Sequence, residues 1–117
     1  MASLGMLYGP HPFVRATIVN EVRSNRMGNY ALGIQSQQGD FTPYYVGRSD
    51  SDLQAELIGR LPSSNTRTHF KFSYASTVRE AFEKECQNFH AFQKQLENDI
   101  HPAKPQNTNF ECPVCGQ

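Results

Sequence analysis

Cysteine and histidine residues in the second half of this 117-residue chain have the spacing of a metal site. Cys86 and His90 are four residues apart on a predicted helix, so their side chains share one face. Cys112 and Cys115 form a Cys-x-x-Cys knuckle, which lets two thiolates bind one ion. We predict a structural Zn²⁺ bound by Cys86, His90, Cys112 and Cys115, with His101 as the alternative to His90.

One carboxylate interrupts the apolar face of the same predicted helix. Glu85 lies at the centre of a stripe with spacings of three and four residues, whose other members are Val78, Phe82, Phe89, Phe92 and Leu96. A carboxylate among apolar side chains is costly unless it is paired or belongs to a site. We therefore expect Glu85 either to be a functional residue, or to reach solvent or an arginine at the edge of the stripe.

Composition limits the classes of partner. The chain has 11 basic and 11 acidic residues, so any nucleic-acid binding must come from a local patch and not from a charged tail. No stretch approaches the roughly 18 apolar residues of a membrane span. Three cysteines are an odd number, which fits a secreted disulfide scaffold poorly. We expect no membrane partner and a cytoplasmic protein.

The elements that must position these residues follow from local patterns. Strands are predicted over 13–19, 27–35, 41–47 and 69–75, with one helix between Ser49 and Pro62 and another from Thr77 to about Glu97. The order β-β-β-α-β-α predicts a single α+β domain over 1–117, with a small antiparallel sheet flanked by helices. The first 12 residues are predicted to be irregular, and zinc is predicted to hold the tail at 101–117. Phe70, Phe72 and Tyr74 are predicted to pack against the last helix.

Two short motifs and the order of elements resemble the GIY-YIG nuclease domain. Gly28-Asn29-Tyr30 lies on one predicted strand and Tyr45-Val46-Gly47 on the next, and a helix, a strand and the helix bearing Glu85 follow. The resemblance spans residues 28 to about 109, and the interval from Ala81 to Glu85 matches the family's spacing on its metal-binding helix. The Cys-Pro-x-Cys tail is similar to that of a subgroup of small bacterial or phage proteins.

The resemblance implies a DNA endonuclease that uses Mg²⁺ or Mn²⁺. Tyr30 and Tyr45 would lie over the scissile phosphate, and one would assist removal of a proton from the attacking water. Glu85 would bind the metal, which acts as a Lewis acid. A late asparagine of the family matches Asn109, with Asn107 as the rival.

Glu56 occupies the position where the family places an arginine on its first helix. Its charge would repel a phosphate, and the candidates to replace the arginine are Arg60, one helical turn on, and Arg48, directly after the second motif. The prediction is a metal-dependent endonuclease-like domain weakened by Glu56, or a DNA-binding derivative of one. The alternative is a catalytically inactive interaction module, a regulator or inhibitor that binds a protein or small ligand. Neutral charge favours this module, and the tyrosines with Glu85 favour the nuclease.

Overall fold

A computed structural model describes residues 3–117 and contains a four-stranded antiparallel sheet with three helices. In chain order the elements are β1 (Tyr8–Pro12), α1 (Arg15–Glu21), β2 (Gly28–Gln35), β3 (Phe41–Ser49), α2 (Leu53–Gly59), β4 (His69–Tyr74) and α3 (Val78–Ala91). The strand order is β1-β4-β2-β3. The predicted α+β class is confirmed. Within 3–117, no helix has both the length and the apolar character needed to cross a membrane.

The central hairpin, β2–β3, brings the two tyrosine motifs side by side. Its register pairs Tyr30 with Gly47 and Leu32 with Tyr45, so these four side-chain positions lie on one face of the sheet. A Cβ at Gly47 would lie 2.5 Å from the Cζ atom of Tyr30. Glycine is therefore required at this position because the Tyr30 ring crosses directly over the backbone of β3.

Helices cover both faces of the sheet. The face with Tyr30 packs against α1 and α2, and its buried core consists of Phe13, Ile18, Val22, Tyr30, Leu32, Leu53, Leu57, Phe70 and Phe72. The opposite face, with Ala31 and Val46, packs against Phe89 of α3. The predicted packing of Phe70, Phe72 and Tyr74 against α3 is therefore wrong. Phe72 pairs with Tyr30 across the sheet, so this row of rings points away from α3.

The N-terminal part of the chain differs from the prediction. Residues 13–19 were expected to form a strand, but most of them belong to α1, because Ile18 and Val22 are one helical turn apart and both enter the core. Residues 8–12 form the edge strand β1 within the stretch expected to be irregular, and pair with β4. Residues 1–2 of that stretch lie outside the described part.

The last helix starts as predicted and ends early. Thr77 caps α3 by accepting a hydrogen bond from the backbone N–H of Glu80 at 3.0 Å. The helix was predicted to continue to about Glu97 but ends at Ala91, since the following segment pairs with the open edge of β3. Asn98 accepts from the backbone N–H of Val46 and donates to its carbonyl, at 3.0 and 2.8 Å. These bonds pair the backbone N–H and carbonyl of Val46, which would otherwise be unpaired at the edge of the sheet.

Replacing Phe82 by alanine should lower the free energy of unfolding by about 3–5 kcal/mol. Phe82 is fully buried and packs with Cys86, Cys112 and the partly buried Phe110, so its removal leaves a cavity between α3 and the tail. Urea denaturation of the wild-type protein and the variant measures the loss. Phe92→Ala, at the partly exposed end of α3, serves as the control and should cost less. A loss below about 1 kcal/mol for Phe82→Ala would contradict its place in the core.

Candidate functional site

Four residues near the end of α3 and in the tail lie close enough to bind one metal ion. His90 stands in the last turn of α3, and His101, Cys112 and Cys115 follow on the tail. Each offers one ligand atom, and these atoms all lie within 4.8 Å of one another. The two cysteines and two histidines form a donor set that suits tetrahedral zinc.

The ligand group differs from the predicted set at one position. Cys86 lies outside the four, because its fully buried thiol packs against Phe82 and the thiol of Cys112. His101, predicted as the alternative to His90, joins His90 in the group, and the centroids of the two imidazole rings are 5.3 Å apart. Spacing along α3 could not reveal that both histidines belong to the group, because His101 lies in the tail and comes close to His90 only after the chain has turned back.

The imidazole nitrogens are arranged for metal binding. His101 Nδ1 lies 3.0 Å from the carbonyl oxygen of Pro102, so Nδ1 carries the proton and donates. Its Nε2 atom then presents a lone pair toward Cys115 Sγ, 3.4 Å away. His90 Nε2 is buried and has no hydrogen-bond partner within residues 3–117. A buried nitrogen without a partner is costly, and a metal ion would satisfy it.

The cysteine thiols of this region have divergent acidities. Burial raises the pKa of Cys112, but the backbone N–H groups of Cys115 and Val114 lower it. The side chains of His101 and Cys86 lower it further, and the net pKa is about 6. Burial raises the pKa of Cys86, as does the neighbouring Cys112. The Cys86 thiol thus adjoins that of Cys112, while the group of four close ligand atoms does not include it.

The second group of polar residues surrounds Tyr30 on the α2 side of the sheet. The Tyr30 hydroxyl donates to Glu56 Oε2 at 2.8 Å and accepts from Arg60 Nε at 3.0 Å. The ring of Tyr45 stacks near that of Tyr30, with centroids 6.3 Å apart. Two guanidinium groups lie over the Tyr45 ring, those of Arg60 at 4.9 Å and Arg67 at 4.6 Å. We call these five residues the tyrosine cluster.

Charges in the tyrosine cluster are largely balanced. Arg60 Nε lies 3.2 Å from Glu56 Oε2, so the Glu56 carboxylate is paired with the arginine that follows the last residue of α2. Arg67 pairs with Glu97 at 2.9 Å. Burial, followed by the charge of Glu56, raises the pKa of Tyr30 far above its ordinary value, so its phenol is protonated at neutral pH.

The third group of polar residues lies on the α3 side of the edge strand β3. Arg48 Nη1 donates to Glu85 Oε1 at 2.5 Å, and the same guanidinium donates to both oxygens of Asp50 at 2.8 and 3.3 Å. Glu85 thus has the arginine partner that its position in an apolar stripe required. Burial raises the pKa of Glu85, Arg48 lowers it, and the charges of Asp50 and Glu56 raise it again, so that the net direction is upward.

The tyrosine cluster and the Arg48–Glu85–Asp50 group are neighbours across the edge strand β3. Tyr45 and Arg48 are three residues apart, and side chains alternate between faces along a strand, so one group faces α2 and the other α3. The charge of Glu56 is the smallest of the influences that raise the pKa of Glu85, after burial and the charge of Asp50. Of the predicted candidates, Tyr30, Tyr45 and Arg60 are in mutual contact, and Arg48 contacts Glu85.

The predicted asparagines lie elsewhere. Asn109 lines a cavity of about 570 Å³ together with Arg79, Glu83 and the knuckle around Cys112. Asn107 is exposed and has a φ of 62°. Neither asparagine hydrogen-bonds to the two tyrosines or Glu85 within the described range 3–117.

The sequence prediction missed Asp50 as a partner of Arg48 and Arg67 as a contact of Tyr45. The position of Asp50, two residues after Arg48, was the only signal for the first, and no local pattern indicates the second. Comparison of the chain with known proteins finds no matching family model, no matching curated protein and no matching solved structure.

Proposed function

We propose that this chain is a divalent-metal-dependent DNA endonuclease with a zinc-bound structural tail. The observation that carries the proposal is the position of Arg60. A glutamate stands where an arginine is expected, yet Arg60 reaches the Tyr30 hydroxyl and lies over the ring of Tyr45. The tyrosines therefore have the cationic partner that a developing phosphate charge needs.

Tyr30 and Arg60 together position the Glu56 carboxylate. The Tyr30 hydroxyl donates to Glu56 and accepts from Arg60, whose guanidinium also pairs with Glu56. Tyr30 is fully buried, whereas the Glu56 side chain is partly exposed, so Glu56 is the group of this set that can accept a proton from an attacking water. Burial raises the pKa of Tyr30, so its phenol stays protonated and keeps its hydrogen bond to Glu56.

Glu85 and Asp50 would supply oxygen ligands for the divalent ion. Both carboxylates contact the guanidinium of Arg48, Asp50 at Nε and Nη2 and Glu85 at Nη1, so a cation that took the place of this guanidinium would have both carboxylates beside it. When bound, the ion would act as a Lewis acid on the phosphoryl oxygen. In the free protein the Arg48 guanidinium is hydrogen-bonded to both carboxylates. Once released from them, it would turn to the phosphate.

Replacing Arg60 by glutamine should reduce nicking of supercoiled plasmid about 10²- to 10³-fold in Mg²⁺. The change removes the charge over Tyr45 and the N–H that binds the Tyr30 hydroxyl. Arg79→Gln is the matched control, because Arg79 also pairs with a glutamate four residues away but lies on α3 at a separate cavity. Equal loss in both variants, or none in Arg60→Gln, would contradict the role of Arg60.

The zinc assignment is supported by the donor set and by the His90 nitrogen. Two thiols and two imidazoles suit Zn²⁺, and the buried Nε2 of His90 has no other partner within residues 3–117. The backbone helps to form the knuckle, because Gly116 N–H donates to the Cys112 carbonyl at 2.9 Å with a φ of 77° at Gly116. We infer that the ion fastens the tail to α3.

The interaction module is the second candidate, and the Arg48 contacts favour it. Asp50 and Glu85 together bind Arg48 through three hydrogen bonds, and this group is complete without a metal ion. The equal number of acidic and basic residues also favours a partner other than duplex DNA. Absence of nicking in both Mg²⁺ and Mn²⁺, with a protein or small ligand bound at Tyr45, would favour this candidate.

A further inference from the structure

An exposed aromatic surface lies at the β1 edge of the sheet, opposite the edge that carries the tyrosine cluster. Tyr8 is 44% exposed and stacks on Phe72, with ring centroids 5.0 Å apart and an interplanar angle of 24°. Tyr74 adjoins both rings, at 5.8 Å from Tyr8 and 5.5 Å from Phe72. A cavity of about 340 Å³ opens beside these three rings.

Arginines border this aromatic surface. Arg26 lies over the ring of Tyr74, 4.4 Å from its centroid, and Arg23 lines the same cavity. Neither arginine has a carboxylate oxygen within 4.0 Å in the part of the chain from 3 to 117, unlike Arg48, Arg60 and Arg67. Glu21 is the acidic residue that lines the cavity, and its nearest basic contact is His11 at 3.9 Å.

The rings are fixed before any ligand arrives. The backbone N–H of Arg23 donates to the Tyr74 hydroxyl at 3.0 Å, and Phe72, which is 1% exposed, supports the inner side of Tyr8. A surface that is already ordered loses little conformational entropy on binding. Flat rings with one open side beside unpaired guanidinium groups are the features with which proteins bind the bases and phosphates of single-stranded nucleic acids.

We propose that Tyr8, Tyr74 and Arg26 form a stacking site for a base of single-stranded DNA, with Arg23 and Arg26 facing its phosphates. A duplex fits less well, because its bases are stacked on one another and cannot cover Tyr8. The proposal deepens the proposed function and rests on it for the identity of the nucleic acid. The strand register places the two sites in one row across the sheet, since Tyr8 pairs with Phe72 and Phe72 pairs with Tyr30. The Cα atoms of Tyr8 and Tyr30 are therefore about 10 Å apart across two strand spacings.

The test is binding of a labelled single-stranded oligonucleotide of about 12 nucleotides, a length within the usual site size. Zinc-loaded protein is used without Mg²⁺ or Mn²⁺, and binding is followed by fluorescence anisotropy. Tyr8→Ala should weaken binding roughly 5- to 150-fold, the range of one lost stacking contact, whereas Tyr8→Phe should retain it. Arg26→Gln should weaken binding and make its dependence on salt shallower. Leu7→Ala is the control, because this neighbouring side chain is 83% exposed and outside the cavity, and it should leave binding unchanged.

Three results would overturn the stacking site. One is unchanged affinity in Tyr8→Ala, and another is equal competition by single-stranded and duplex DNA, which would indicate attraction to phosphates alone. The third is absence of binding to single strands, which would leave the surface to a protein partner. If Tyr8→Ala fails to fold by circular dichroism, Arg26→Gln still decides, because unchanged affinity and unchanged salt dependence in this variant would contradict the site. Binding without nicking in Mg²⁺ would contradict the endonuclease only, and nicking with binding insensitive to Tyr8 and Arg26 would contradict the stacking site only.

Discussion

Removing zinc with a chelator should detach the tail from α3 and lower the melting temperature by more than about 10 °C. A ligand present at 1,000 times its dissociation constant stabilises a fold by about 4 kcal/mol, and each kcal/mol corresponds to several degrees in a domain of this size. The core between the sheet and α1 and α2 contains none of the four ligands, so the far-ultraviolet dichroism should persist at 25 °C. Differential scanning calorimetry with and without chelator measures the change.

The zinc content of single variants distinguishes the ligand set predicted from the sequence, which includes Cys86, from the set found in the structure, which includes His101. The structure places His101 in the metal-binding group and Cys86 outside it. Cys86→Ala should therefore retain about one zinc per chain, whereas His101→Ala and Cys112→Ser should lose it or bind it much more weakly. Mass spectrometry of protein purified without chelator gives the content. Loss of zinc in Cys86→Ala with retention in His101→Ala would contradict this group, and a stable metal-free wild-type protein would contradict the zinc site as a whole.

Replacing Glu85 by glutamine should reduce metal-dependent nicking by about 10³-fold or more, because loss of the proposed metal ligand would remove several kcal/mol of transition-state stabilisation. Glutamine keeps the size of the side chain, and its amide oxygen can still accept from Arg48. Asp50 also remains bound to Arg48, so the guanidinium keeps a negatively charged partner. The melting temperature should therefore change little. Mn²⁺ titration by calorimetry should show weakened binding in the same variant.

Glu83→Gln is the matched control for Glu85→Gln. Glu83 lies on the same helix, two residues earlier, and pairs with Arg79 at the helix surface. Its replacement should leave both nicking and Mn²⁺ binding at the wild-type level. Equal losses in the two variants would show that the effect comes from α3 as a whole and not from the carboxylate beside Arg48.

Local signals predicted the elements that local interactions determine. Strands β2 and β3 were both predicted, and Gly39, with a φ of 93°, lies in the short turn between them. The start of α3 was predicted at Thr77, which caps the helix. Helix α1 was mistaken for a strand because its residues are rich in β-branched side chains. Tertiary contact overrides that propensity, since Ile18 is buried against the sheet.

Long-range contacts explain what the sequence prediction missed in the sites. The end of α3 depends on hydrogen bonds between Asn98 and Val46, which no helical pattern contains. The ligand role of His101 depends on the path of the tail. The arginine near Tyr30 was among the candidates, but only the approach of α2 to the sheet distinguishes Arg60 from Arg48.

The central claim is that the residues at the β3 edge form a phosphodiesterase site, and nicking across a size-exclusion profile tests it most directly. Wild-type protein and Glu85→Gln are purified identically, and each fraction is assayed on supercoiled plasmid with Mg²⁺. We predict that nicking follows the wild-type protein peak and is absent across the peak of the variant. Equal nicking by both proteins, or activity that does not follow the wild-type peak, would contradict the claim.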